Sequence, residues 1–342
     1  MHFIGDDKFL QRIKDKKATF LLAGCVTQTC EIEGITQAGI EGLIHLTPTL
    51  DAEFVDSGKL FSLKNMAETP KGVPTPAIIT RAVRELTDFD FETLDLGLRI
   101  KPQVEVLHGF DISESKSIVE GAGIDAKTII QKGIEFAKSY THSNDFLIVG
   151  ESTPSGTTTA YAAGKTLGYN CDGYFSSSFL DAPSSLKTRV INEALENASG
   201  DAYERLGSVA DNMLLFLAGF VSEYSKKGLI ALGGGTQMAA VLLIIDALEL
   251  ENNCENIALM TTKWVYEDEK SNIKGLLEQM KFTVDGYFSD FSFEKASIPV
   301  LKLYDEGEAK EGVGAGASLC YAQMSGFSND EILEKIQKVL TS

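Results

Sequence analysis

One acidic, glycine-rich segment, residues 305–318, has residue types suited to chemistry. Its carboxylate Glu311 is followed at alternate positions by Gly312, Gly314 and Gly316. Glycine lets the backbone approach a ligand closely, and the N–H groups at the start of a helix attract anions. A carboxylate beside such a loop can accept a proton from a group that attacks a phosphorylated substrate, so Glu311 is a candidate general base. A solvated acidic turn with flexible glycines is the alternative.

A second turn places polar groups directly after an apolar run. Glu151 follows the predicted strand 145–150 and precedes a threonine-rich helix start. The hydroxyl and N–H groups there could hold a phosphate. The same residues could equally serve as a helix cap through Ser155 or Thr157, because a cap and an anion site use the same geometry. The candidate phosphate-binding residues of this turn are Ser155, Gly156, Thr157 and Thr158.

A third turn consists of three successive glycines between the predicted strand 228–232 and the predicted helix 236–250. They are Gly233, Gly234 and Gly235. A tight turn needs one glycine, so three indicate that something approaches the backbone. The turn lacks the third glycine of the dinucleotide-binding fingerprint, and the chain has no Gly-x-x-x-x-Gly-Lys-Ser/Thr phosphate loop.

The elements around these turns alternate between short apolar runs and helical patterns. This alternation predicts an α/β fold with a doubly wound, mostly parallel, Rossmann-like sheet covered by helices on both faces. In such sheets ligands bind at the carboxyl ends of the strands, so we expect the three turns to share one edge. The predicted strands cover residues 19–26, 43–46, 145–150, 228–232, 257–262, 282–291 and 298–304. Helices are predicted at 76–85, 157–167, 236–250, 270–280 and 329–340.

Composition excludes some classes of function. The formal net charge of −18 argues against a nucleic-acid-binding surface, which needs a basic footprint. The 342 residues include no apolar run of the roughly 18 needed to cross a bilayer, and residues 1–17 lack the apolar segment of a signal peptide. We therefore expect a cytoplasmic protein that uses no membrane and no nucleic acid.

The metal-ligating residue types are dispersed along the chain. The five cysteines have scattered positions, which is typical of reduced thiols in a cytoplasmic protein. The four histidines are also dispersed, and none accompanies the nearby pair Cys25 and Cys30. We expect no metal site and no cofactor, because the spacings match no recognised ligand pattern.

Three stretches in this order together resemble a known family. Residues 150–158 read Gly-Glu-Ser-Thr-Pro-Ser-Gly-Thr-Thr, residues 233–240 read Gly-Gly-Gly-Thr-Gln-Met-Ala-Ala, and residues 310–317 read Lys-Glu-Gly-Val-Gly-Ala-Gly-Ala. They resemble the nicotinate-nucleotide:dimethylbenzimidazole phosphoribosyltransferases of cobamide (vitamin B12) assembly, and more closely the archaeal branch. The resemblance covers roughly the C-terminal two-thirds of the 342 residues.

The resemblance implies an organisation and a reaction. It implies a homodimer with a large α/β domain (76–327) and a smaller, mainly helical domain from the chain ends (1–75 and 328–342). It implies transfer of phosphoribosyl from nicotinate mononucleotide to a benzimidazole-like aromatic base, giving an α-ribotide and releasing nicotinate. By this analogy Glu311 is the general base, Glu151 is a second carboxylate in the base pocket, and the glycine turns hold phosphate and ribose. Operation near neutral pH then favours a raised pKa for Glu311.

One departure leaves the acceptor base open. In the bacterial enzymes a Tyr-Pro-Gln-Glu-Val-Thr segment helps to build the base pocket. The nearest stretch here, residues 72–80, lacks that glutamine and acid and offers Pro74 and Pro76 instead. Two other functions also stay open: a non-catalytic nucleotide-binding protein of the same fold, and a dinucleotide-dependent oxidoreductase that uses Gly233–Gly235.

Overall fold

The structure is a computed structural model that describes residues 2–175 and 184–342. Its eight strands are β1 (His2–Ile4), β2 (Ala18–Gly24), β3 (Asp90–Asp95), β4 (Leu107–Gly109), β5 (Phe146–Ser152), β6 (Leu229–Gly233), β7 (Ile257–Thr262) and β8 (Asp285–Ser289). They form one sheet in the order β1-β8-β7-β6-β5-β2-β3-β4, and every neighbouring pair is parallel except β1 with β8. The predicted α/β class with a doubly wound, mostly parallel sheet is therefore confirmed.

Thirteen α-helices lie within the described residues. They are α1 (Lys8–Ile13), α2 (Thr47–Ser57), α3 (Ala77–Thr87), α4 (Ala126–Ser139), α5 (Gly156–Thr166), α6 (Ser184–Asn197), α7 (Ala202–Val209), α8 (Asn212–Tyr224), α9 (Thr236–Ala247), α10 (Lys263–Tyr266), α11 (Ile273–Leu277), α12 (Ala315–Met324) and α13 (Asn329–Thr341). One layer contains α4, α5, α7, α8, α9 and α11, and the other contains α1, α2, α3, α12 and α13.

The strand sequences explain why both faces are covered. Successive side chains of a strand point to opposite faces, and all seven residues of β2 are buried. Leu21 and Ala23 pack into the core beneath the first helix layer, whereas Phe20 and Leu22 pack beneath the second. A strand that is apolar on both sides can exist only between two such layers.

Two predicted strands are wrong. Residues 43–46 contribute to a 3₁₀ helix, Ile44–Leu46, that continues directly into α2, which has Pro48 in its first turn. Residues 298–304 contain another 3₁₀ helix, Pro299–Tyr304, in which Leu301 and Tyr304 are buried. Buried residues three positions apart fit a 3₁₀ helix, and a proline suits a first helical turn. The glycine-rich segment 305–318 therefore does not follow a strand.

The predicted division of the chain into two domains stays a prediction. Strand β2, which comes from the segment 1–75, lies between β5 and β3 in the middle of the sheet. Helix α13, from the segment 328–342, packs against α3. Among the helices that the structure describes, none is long and apolar enough to span a membrane.

Candidate active site

The sheet reverses its winding direction between β2 and β5. From β2 the chain adds β3 and β4 on one side, and from β5 it adds β6, β7 and β8 on the other. A crevice at the carboxyl ends of the strands is expected at such a switch point, and ligands bind there in open α/β sheets. Glu151 and Ser152, the last residues of β5, lie at this point beside the end of β2.

The structure brings the three glycine-bearing turns together at this edge. The Val313 N–H donates a hydrogen bond to the Glu151 carbonyl at 2.8 Å. A Cβ atom added to Gly150 would lie 3.0 Å from the Gly314 nitrogen, and one added to Gly233 would lie 3.1 Å from the Gly314 Cα. The expectation that the three turns share one edge is therefore confirmed.

Glu311 lies in the middle of the site with its carboxylate held by backbone groups. The Thr262 N–H donates to Oε2 at 3.1 Å, and the Gly316 N–H lies 3.1 and 3.2 Å from the two carboxylate oxygens. The side chain is half-buried, so part of it remains accessible from the crevice. Burial raises the pKa of Glu311 to about 7, although these backbone hydrogen bonds oppose the rise. The raised pKa expected for a base acting near neutral pH is found.

Glu151 is a second carboxyl with a raised pKa. It is 3% exposed and accepts a hydrogen bond from Gln237 Nε2 at 3.2 Å. Burial, then the nearby charge of Glu311, raises its pKa to about 8. Burial and the mutual repulsion of the two carboxylates therefore disfavour the ionisation of both groups at the same time.

Two residues of these turns adopt a left-handed backbone although they are not glycine. Ser155 has φ +63° and Val313 has φ +55°. For a β-branched residue such as Val313 this conformation is costly and must be imposed by its surroundings. The imposing contacts are the bond to Glu151 and a 2.7 Å bond in which the Thr80 hydroxyl donates to the Val313 carbonyl. Ser155 makes no side-chain capping hydrogen bond to α5, so the helix-cap alternative is wrong for this residue.

A polar cleft opens in front of these turns. Ser155, Gly156, Thr157 and Gly312 line it, together with Glu151 and Glu311. Lys187 also lines it, and its Nζ donates to Thr157 Oγ1 at 3.1 Å. Burial, then the nearby Lys310, lowers the pKa of Lys187 to about 8, which still leaves it mostly cationic at neutral pH.

A smaller, mainly apolar pocket adjoins the cleft. Pro74 and Pro76 line it beside Val73, Ala67 and Ala309. Glu311, Thr75 and Pro76 line both the pocket and the cleft. The candidate base therefore stands where an apolar compartment and a polar one meet.

Five predicted site residues lie behind the surface of the cleft. Gly233–Gly235, Thr158 and Gly314 are buried and are not among the described residues that line the pocket or the cleft. A Cβ atom on Gly233 would lie 2.7 Å from the Ala317 Cβ, so packing against α12 already explains this glycine. Their roles in binding stay predictions.

Sequence reasoning missed three groups of this site. Asp51, in the unpredicted helix α2, is buried and accepts hydrogen bonds from the Thr75 and Ser152 hydroxyls, both at 2.7 Å. Burial raises the pKa of Asp51 to about 6. Lys187 lies on α6, a helix that the sequence analysis did not predict. Thr262 had a usable signal, because it is the polar last residue of a predicted strand.

Several buried hydroxyls at the turns have no hydrogen-bond partner within residues 2–175 and 184–342. They are the hydroxyls of Thr153, Ser155, Thr158 and Thr236. The Gln237 Oε1 atom is also buried without a hydrogen-bond partner among these residues. A buried polar group without a partner is costly and calls for an explanation such as a ligand. The described residues contain no group of three or more His, Cys, Asp or Glu side chains placed to hold a metal ion.

The fold matches solved phosphoribosyltransferase structures. A nicotinate-nucleotide-dimethylbenzimidazole phosphoribosyltransferase from Thermus thermophilus aligns with a TM-score of 0.60 and 16% sequence identity, covering 95% of this chain and 86% of that chain. A structure of CobT from the same organism gives a TM-score of 0.58 at 16% identity and the same coverage. The resemblance predicted from the three motifs is confirmed at the level of the fold.

Sequence relatives share almost the full length of the chain. A UPF0284 protein from Sulfurisphaera tokodaii is 36% identical over 332 residues, covering 95% of this chain and 94% of the relative. One from Sulfolobus acidocaldarius is 36% identical over 342 residues, covering 97% and 98%. No family model matches the chain. On the strength of these full-length relatives, the chain belongs to the UPF0284 family, and it has the fold of the CobT phosphoribosyltransferases.

Proposed function

We propose that this protein transfers phosphoribosyl from nicotinate mononucleotide to a benzimidazole-like base, releasing nicotinate and forming an α-ribotide. The observation that carries the proposal is the position of Glu311. Its carboxylate, with a pKa of about 7, borders an apolar pocket on one side and a polar, lysine-containing cleft on the other. The fold shared with CobT supports the same reaction class.

The reaction balances with one proton acceptor. An aromatic nitrogen of the base attacks the anomeric carbon of the ribose and forms the new C–N bond. The old C–N bond breaks, and nicotinate leaves with its electron pair. The proton of the attacking ring passes to the Glu311 carboxylate, which must be ionised to accept it. Attack opposite the leaving group inverts the anomeric centre from β to α.

The two compartments suit the two substrates. Pro74, Pro76 and their apolar neighbours offer flat walls to an aromatic ring. The polar cleft offers Lys187 and the hydroxyl of Thr157 to a phosphate. Holding both reactants in line at Glu311 supplies a large part of the rate acceleration, because it removes the entropy cost of bringing them together. The homodimer implied by the resemblance stays a prediction.

The test is an assay of the purified protein with nicotinate mononucleotide and dimethylbenzimidazole. Free nicotinate and α-ribotide are followed by chromatography, with Glu311→Gln and the exposed loop control Glu306→Gln alongside. We expect Glu311→Gln to lower kcat about 10³-fold and Glu306→Gln to leave it unchanged. Absence of product and of nicotinate mononucleotide binding would contradict the transferase and favour a different ligand. Binding that is equal in wild type and Glu311→Gln, without turnover on any aromatic base, would favour the non-catalytic protein.

A further inference from the structure

Thr262, the last residue of β7, makes one hydrogen bond to the side chain of Glu311 and one to the main chain of the residue before it. Its N–H donates to Glu311 Oε2 at 3.1 Å, and its hydroxyl donates to the Lys310 carbonyl at 2.6 Å. The side chain is 1% exposed. One residue therefore holds both the carboxylate of the candidate base and the main chain from which that carboxylate projects.

The donors around the carboxylate belong to the end of β7 and the start of α12, whereas the loop before it is not part of a strand or an α-helix. A Cβ atom on Gly316 would lie 2.1 Å from the Thr261 carbonyl carbon, so the end of β7 and the start of α12 are in direct backbone contact. The N–H groups of Thr262 and Gly316 therefore belong to two regular elements that pack directly on each other. The position of Glu311 relative to them depends on how the 305–311 segment is attached.

Several side-chain contacts attach that segment. Lys310 Nζ forms a buried ion pair with Asp268 at 2.7 Å, Glu308 pairs with Lys71, and Asp305 accepts a hydrogen bond from Trp264 Nε1 at 2.8 Å. The Thr262 hydroxyl differs from both pairs, because it binds the carbonyl directly before Glu311 and comes from the sheet itself.

We infer that Thr262 is a positioning residue that keeps the Glu311 carboxylate aligned for proton transfer. The inference rests on the proposed function, in which Glu311 is the base. Loss of the hydroxyl would free the Lys310 carbonyl and let the carboxylate move away from its two N–H donors. Misplacement of a reacting group by about 1 Å can cost up to a hundredfold in rate, without a matching loss of substrate binding.

The chain provides a matched control in the preceding residue. The Thr261 hydroxyl is also fully buried, and it has no hydrogen-bond partner within the described part of the chain. Consecutive strand residues point to opposite faces, so a change at Thr261 alters the same strand end without touching the Glu311 attachment. Thr→Val replaces a hydroxyl by a methyl group of nearly the same size at either position.

The kinetic test compares Thr262→Val, Thr262→Ser and Thr261→Val in the transferase assay. We expect Thr262→Val to lower kcat about tenfold with KM for nicotinate mononucleotide within about twofold. Thr262→Ser, which keeps the hydroxyl, and Thr261→Val should stay within about twofold of wild type in both constants. Equal kcat in Thr262→Val and Thr261→Val would overturn the inference, as would equal losses in Thr262→Val and Thr262→Ser. If Thr262→Val does not fold, Thr262→Ala takes its place with the same expected result.

A second measurement does not depend on turnover. The titration of Glu311 is followed by carboxylate infrared difference spectra, with Glu311→Gln used to identify its band. The two N–H bonds favour the ionised form, so their weakening in Thr262→Val should raise the Glu311 pKa by about half a unit or more. An unchanged titration in Thr262→Val would refute the positioning role. This result is independent of the assay, so an inactive wild type would count against the proposed function alone.

Discussion

Some buried hydroxyls at the carboxyl ends of the parallel strands lack a hydrogen-bond partner within the described residues, whereas the Asn144 amide at the amino ends has several. At the amino ends, Asn144 Nδ2 lies within hydrogen-bonding distance of the Ala18 carbonyl (3.1 Å), Thr19 Oγ1 (2.9 Å) and Asp90 Oδ2 (2.8 Å). At the carboxyl ends, the buried hydroxyls of Thr153, Ser155 and Thr158 have no partner within the described residues.

A second contrast concerns the carboxyl groups at the two ends. At the amino ends the exposed Asp145 carboxylate accepts a hydrogen bond from the Lys17 N–H at 3.0 Å. At the carboxyl ends burial raises the pKa values of Glu151 and Glu311. The carboxyl ends therefore retain buried carboxyl groups whose ionisation opposes folding, and in the proposed reaction one of them accepts a proton.

After the loss of rate expected for Glu311→Gln, the largest expected effect is the pH dependence of the reaction at the carboxyl ends. Glu311 must be ionised to accept a proton, and its pKa is about 7. We expect kcat/KM to rise about tenfold per pH unit below pH 7, roughly a hundredfold between pH 5 and pH 8, and then to level off. Initial rates measured across this range check the prediction. A flat profile would contradict a role for the ionisation of Glu311. The same rise in Glu311→Gln would assign the titration to another group.

At the amino ends we expect a loss of stability without a loss of catalysis. Asn144→Ala removes contacts to β2 and β3 and should lower the free energy of unfolding by about 2 kcal/mol. The exposed Asn192→Ala is the control and should change it by less than about 0.5 kcal/mol. Urea unfolding and kcat are measured together for both variants. A fall in kcat comparable to that of a carboxyl-end variant would remove the distinction between the two ends.

The sequence could predict those parts of the fold and the site that depend on a local pattern of residues, but not those that depend on tertiary packing. Strand β7 and the glycine turn before α9 were predictable, because an apolar run followed by glycines is a local pattern. Asp51 and Lys187 were not, because α2 and α6 bring them to the cleft only through tertiary packing. Residues 298–304 show the limit most clearly, since a short apolar run fits a strand and a buried 3₁₀ helix equally well.

Removing a desolvated carboxyl should stabilise the protein, in contrast to the amino-end variant. The folded-state pKa of Glu151 is about 8, above its ordinary value of 4.5, so its ionisation increasingly opposes folding as pH rises from about 4.5 to 8. We therefore expect the unfolding free energy of Glu151→Gln to increase relative to that of wild type as pH rises. The difference between the two proteins should be larger at pH 8 than at pH 5 by on the order of 2 kcal/mol. Urea unfolding at both pH values tests this. A difference that is independent of pH would mean that Glu151 is not desolvated in the folded protein.

The smallest effect concerns Lys187, which lines the polar cleft near buried hydroxyls that have no hydrogen-bond partner in the described part of the chain. If this cleft receives the phosphate, Lys187→Met should weaken nicotinate mononucleotide binding about tenfold, as expected for loss of one charge-assisted hydrogen bond. Nicotinate riboside, which lacks the phosphate, is the matched ligand, and its affinity should change by less than about twofold. Calorimetric Kd values for both ligands, in wild type and variant, complete the comparison. If the Kd values of both ligands rise equally, Lys187 contributes to the shape of the cleft and not to phosphate binding. The phosphate would then have to bind elsewhere at this edge.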